Sequence, residues 1–128
     1  MAKKTKNQFD TIETFIGQDS VLNGNLFTEK IIRIDGKMTG NIEKSAGVII
    51  GDSAFLKGDI NSGFVVVSGS VEGNITANES VELLNKSKIV GNIQTKMISI
   101  SEGAVFDGRS LMLNIDETQV IDNKKEAN

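Results

Sequence analysis

Cysteine, histidine, proline, tryptophan and tyrosine are all missing from this chain of 128 residues. Without cysteine there is no disulfide framework, no thiolate metal site and no thiol nucleophile. Without histidine the commonest general base and commonest metal ligand is gone. Six phenylalanines supply all the aromatic surface, and apolar residues make up only 38% of the chain. The longest apolar runs, such as Phe64-Val65-Val66-Val67, hold four residues. Nothing approaches the roughly 20 residues that span a bilayer, and no apolar stretch follows the opening lysines as in a secretory signal peptide. Fourteen Lys and Arg face 17 Asp and Glu, a net charge of −3, against the basic excess usual in nucleic-acid binders. The expectation is one soluble, intracellular, non-enzymatic domain with no cofactor and no nucleic-acid partner.

What is present divides the chain in three. Residues 1–9 carry Lys3, Lys4, Lys6 and one aromatic, Phe9. Residues 114–128 hold four acids and two lysines and end without a hydrophobic anchor. Both ends have the composition of flexible tails. Residues 10–113 contain all 13 glycines, and their alternation of Val and Ile with polar residues predicts strands.

Inside that middle section a unit recurs, apolar-x-Gly-[Asn/Asp]-apolar. It reads Leu22-Asn23-Gly24-Asn25-Leu26, Met38-Thr39-Gly40-Asn41-Ile42, Leu56-Lys57-Gly58-Asp59-Ile60, Val71-Glu72-Gly73-Asn74-Ile75 and Ile89-Val90-Gly91-Asn92-Ile93. A degenerate sixth copy is Phe106-Asp107-Gly108-Arg109-Ser110. The glycines are 16, 18, 15, 18 and 17 residues apart. Four residues before each stands a small residue: Ser20, Gly36, Ala54, Gly69, Ser87 and Ala104. A further apolar stretch follows each unit, as in Ile32-Arg33-Ile34, Val48-Ile49-Ile50, Val65-Val66-Val67, Val81-Glu82-Leu83 and Ile98-Ser99-Ile100.

Self-similarity at this period is the mark of a solenoid. On a strand the positions −4, −2, 0 and +2 share one side. They read small, large apolar, glycine, large apolar, so the chain bends at the glycine and again at the small residue. Two bends and a return make three short faces per turn. Six turns spaced about 4.8 Å apart give a rod about 29 Å long. The fold expected is therefore all-β, a single-domain β-solenoid of about six turns around a narrow column of Ile, Val and Leu. Proline is absent because nearly every N–H must pair with a neighbouring turn. The residue after each glycine (Asn25, Asn41, Asp59, Asn74, Asn92, Arg109) points outward, and a stacked amide ladder is expected there.

Signatures of chemistry are weak. No two glycines are separated by a single residue and there is no Gly-Lys-Ser/Thr, which excludes both nucleotide-binding loops and argues against nucleotide-driven polymerisation. Asp59-Ile60-Asn61-Ser62-Gly63 only faintly resembles a calcium loop. Asn74, Asn78 and Asn85 sit in chance glycosylation-type triplets, and Glu79 and Glu82 read as solvated charges. A hexapeptide-repeat acyltransferase, also a solenoid, would keep a constant period of 18 and usually a catalytic histidine. This chain has neither.

A solenoid has two open ends that expose unpaired strand edges and interior side chains. Phe15, Ile16 and Leu22 belong to the first end. Ile98, Ile100, Phe106 and Met112 belong to the last, where Phe106 is the only aromatic at an inward −2 position. These seven residues are the candidate polymerisation interface. Outward apolar residues such as Phe27, Phe55 and Val90 offer lateral contacts or a docking face for a protein partner, the reading in which the rod is a non-polymerising adaptor.

The five complete Gly-[Asn/Asp] units over residues 10–113, the short tails and the missing proline together resemble the bactofilin family. The resemblance implies a right-handed β-helix and bacterial cytoskeletal filaments that assemble without nucleotide through like ends, and so lack polarity. It implies roles in cell shape and in placing cell-wall enzymes or morphogenesis proteins. It also implies a cytoplasmic location, peripheral at the inner membrane surface through the N-terminal tail. Here Lys3, Lys4, Lys6 and Phe9 are the candidate membrane-binding residues, each lysine contributing about 1 kcal/mol at an anionic surface.

Overall fold

The computed structural model describes residues 12–113 and the backbone of Thr118–Ile121. Lys3, Lys4, Lys6 and Phe9 lie outside the described residues. All regular structure within them is strand, arranged in two sheets. The shorter sheet stacks Val21–Asn23, Lys37–Thr39, Phe55–Lys57, Ser70–Glu72, Lys88–Val90 and Val105–Asp107 in sequence order, all parallel. One strand per turn makes six turns, the β-solenoid expected. The longer sheet wraps the other two sides. In the middle turns a single strand covers both, as in Ile42–Ile50, Ile60–Val67 and Ile75–Leu83.

Register aligns the repeat as the sequence does. Leu22, Met38, Leu56, Val71, Ile89 and Phe106 form one inward column. A second holds Leu26, Ile42, Ile60, Ile75, Ile93 and Ser110. The third side contributes Ile32, Val48, Val65, Val81 and Ile98, and beside them Ile34, Ile50, Val67, Leu83 and Ile100. Between the end turns these side chains are buried almost completely. The sixth turn trades sizes. Phe106 is the largest residue of its column and Ser110 the smallest of its own, and both are buried, so the ring occupies volume an isoleucine fills in other turns.

The first bend is built from glycine for two reasons. Each repeat glycine has a positive φ, from 139° at Gly24 to 155° at Gly108, which side chains resist. From Gly40 onward, a Cβ would also strike the carbonyl oxygen of the repeat glycine one turn earlier. The crowding anticipated from the sequence is thus between successive turns, along the axis, rather than across the interior.

The uneven period has a simple composition. The 15-residue turn from Gly58 to Gly73 is the shortest. The 18-residue turns from Gly40 and Gly73 each carry one extra residue in a bulge, where Glu43 and Lys44 or Asn78 and Glu79 stand opposite a single residue of Ile60–Val67. They carry two more at the corner leading back to the short sheet. There Ala54 N–H donates to Gly51 O and Ser87 N–H to Leu84 O, at 3.0 Å each, closing four-residue turns. Shorter corners, Asp35-Gly36 and Ser68-Gly69, have no room for this, and their second residue is glycine because a Cβ would meet backbone oxygens of the turn before. The small residue four before each repeat glycine is therefore of two kinds, Ser or Ala in a four-residue turn and Gly in a tight corner.

One region departs from the expected loose C-terminal tail. Thr118–Ile121 is a strand, paired antiparallel with Ser110–Leu113. The physical reason is an open parallel edge beside a segment with three β-branched residues, Thr118, Val120 and Ile121.

Candidate functional site

The outward residue after each glycine forms a continuous ladder. Asn41 N–H donates to Asn25 Oδ1 at 2.9 Å and Asp59 N–H to Asn41 Oδ1 at 2.9 Å. Asn74 donates to Asp59 at 3.0 Å, Asn92 to Asn74 at 3.1 Å and Arg109 to Asn92 at 3.2 Å. The side chains of Asn25, Asn41, Asp59, Asn74 and Asn92 thus each accept from the backbone of the next turn, and Arg109 ends the series. The position requires a short acceptor, which Asn and Asp both supply. Asp59, the first residue of the faint calcium-loop resemblance, is a rung of this ladder through its Oδ1. Among the described residues no group of three or more metal-ligating side chains gathers anywhere.

The ends of the rod are the remaining candidate. At the N-terminal end Ile12–Ile16 lies parallel on Ile31–Ile34, with Phe15 opposite Arg33 and Ile16 on Ile34. Ile16 joins the core, Leu22 is half-buried, and Phe15 is 62% exposed. At the other end Ile98, Ile100 and Met112 are half-buried. Phe106 stands on Ile89 and is only 3% exposed, so it fills the axis, and the partly exposed aliphatic surface there comes from its neighbours. The seven sequence-predicted interface residues therefore fall into two groups at opposite ends of the stack. Val21–Asn23, Ile98–Ile100 and Val105–Asp107 each lack a strand on their outer edge among the described residues.

Between the ends, the outer surface carries one feature the repeat did not reveal. A groove of about 370 Å³ is lined by Arg33, Ile49, Phe64, Val66, Glu79, Ser80 and Glu82. The Phe64 ring lies over Gly47, where a Cβ would collide with it, and Ile31 and Ile49 are buried although they point outward. Arg33 is held at the edge by its ion pair to Asp35 at 3.1 Å. The sequence signal was the unbroken run Phe64–Val67 and the pairs around it, since a strand that is apolar at consecutive positions is covered on both faces. Of the outward apolar residues singled out from sequence, Phe27 and Val90 are exposed and Phe55 is half-buried.

A family profile described as "Bactofilin: Polymer-forming cytoskeletal" matches residues 14–111. Bactofilin BacP of Myxococcus xanthus (strain DK1622) is 30% identical over 115 residues, which are 90% of this chain and 48% of that protein. Bactofilin BacO of the same organism is 33% identical over 95 residues, 74% of this chain and 75% of its own length. The chain thus spans about half the length of BacP and three quarters of BacO. No solved structure matches it.

Proposed function

This chain belongs to the bactofilin family of polymer-forming cytoskeletal proteins, and from that premise we propose that it assembles end to end, without nucleotide, into filaments in which like ends meet. The observation that carries the reading is the pair of ends, each with strand edges bare among the described residues and with half-buried aliphatic side chains. Docking one end buries about 400 Å² of apolar surface, on the order of 10 kcal/mol. Association costs roughly 4–15 kcal/mol, and backbone bonds between edge strands add to the favourable side. Such filaments would scaffold cell shape or cell-wall enzymes from the cytoplasm, held at the inner membrane surface by Lys3, Lys4, Lys6 and Phe9.

Negative-stain microscopy and mass measurement of the purified chain test this. The natural sequence is expected to form filaments. Leu22→Lys blocks one end and Ile100→Lys the other. If like ends meet, each single variant stops at dimers and the double variant at monomers. Monomers from both single variants would mean that unlike ends dock. Discrete particles from the natural sequence would sink the assembly reading. They would favour the second one, an adaptor that binds a partner through the groove at Ile49, Phe64 and Val66.

A further inference from the structure

The acceptor ladder has a direction, and it stops. Each of Asn25, Asn41, Asp59, Asn74 and Asn92 passes a side-chain oxygen to the N–H of the next turn. Arg109 receives the last bond, but its guanidinium has five donors and no acceptor. A further turn stacked in register on this end would place its own corner N–H against donors. If that turn were the first turn of a second copy, the N–H would be that of Asn25. Beside the corner, the edge of Ser110–Leu113 is already taken by Thr118–Ile121, which runs antiparallel and cannot continue a parallel stack. At the N-terminal end Asn25 Oδ1 is already spent inward on the Asn41 N–H, so what that end would take from a preceding turn is an acceptor for the Asn25 N–H, and its neighbouring edges are bare among the described residues.

We propose that Arg109, together with the antiparallel strand Thr118–Ile121, closes the C-terminal end to a seventh parallel turn and so selects against docking of unlike ends. The inference rests on end-to-end assembly and adds the residues that choose which ends meet. Lysine at position 109 would preserve the selection, because it too lacks an acceptor. Asparagine would remove it at the corner, and loosening the strand would remove it at the edge.

The chain has no cysteine, so disulfides can report the joint. Val21 and Val105 lie in one outward column of the short sheet and are both exposed. In a parallel joint between unlike ends they would be adjacent, at about the 4.8 Å strand spacing, within disulfide reach. Full-length Val21→Cys and Val105→Cys proteins, each distinguishable by mass, are mixed and oxidised. The pairing is repeated in an Arg109→Asn background, in a Gln119→Pro, Val120→Pro background, and in all three changes together. The natural background should give a trace of mixed disulfide. The triple background should give about tenfold more, the effect of relieving one unsatisfied donor. Arg109→Lys with the two prolines should stay near the trace. Arg109→Asn alone should leave the melting temperature of the unassembled chain unchanged, because among the described residues no further turn stacks on this corner. Abundant mixed disulfide in the natural background overturns the selection. So does a trace in the triple background while filaments still form. Failure of every protein to assemble, seen by microscopy, overturns the assembly reading and the selection with it.

Discussion

At the scale of the residue, the repeat glycines show two costs that can be separated. Gly24 has φ 139°, but an added Cβ meets nothing within 4 Å. Gly58 has φ 148°, and there a Cβ runs into the Gly40 carbonyl. Gly24→Ala should therefore lose about 1 kcal/mol, the backbone penalty alone, and Gly58→Ala about 3 kcal/mol. Thermal melts followed by circular dichroism will report the difference, at about 4–8 °C per kcal/mol for a domain of this size. Equal losses would mean that the contact between turns contributes nothing. The ladder residues are simpler, since Asp59 fills its rung as well as its asparagine neighbours do.

At the scale of the element, the strand Ile42–Ile50 carries its bulge at Lys44, the single described non-glycine residue with positive φ, at 59°. Lys44→Gly should raise stability by about 0.5–1 kcal/mol, because glycine takes the left-handed backbone without steric cost. Lys44→Val should lower it, and chemical denaturation of both variants measures the pair. The corners and the ladder could be read from sequence because the same short unit recurs in every turn, although the contacts themselves run between turns. Gly-Asn flanked by aliphatics declares the bend, the inward pair and the outward acceptor together. Two other features depend on partners distant in the chain. The cover over Gly47 comes from Phe64 in the following turn, so alternation along Ile42–Ile50 alone does not disclose it. The strand Thr118–Ile121 exists because Ser110–Leu113 offers an edge, and a composition of acids and lysines conceals that. Phe106 showed its inward direction in sequence but not its depth, because depth depends on the shrinkage of its neighbour to Ser110.

At the scale of the whole molecule, the stack is nearly one-dimensional, each turn touching only the turns before and after it. Weak contacts at one copy's tail would therefore sum along a filament. Three lysines at about 1 kcal/mol each would hold a single copy only loosely to an anionic surface, whereas a polymer would present many tails at once. Intact protein should co-sediment with liposomes containing anionic lipid, and a variant lacking residues 1–9 should not. Raising the salt should weaken the interaction, since a screened surface charge drives it. Equal sedimentation of both proteins would remove the tail from the account.

The turns differ in length by up to three residues, yet each adds the same single strand to the short sheet. Extra residues widen the perimeter and leave the rise untouched. The rod is accordingly a ruler, its graduations set by the peptide bond and not by the side chains. Insertions at the corners can decorate it freely, and copies with different decorations would still measure the same distance along an axis.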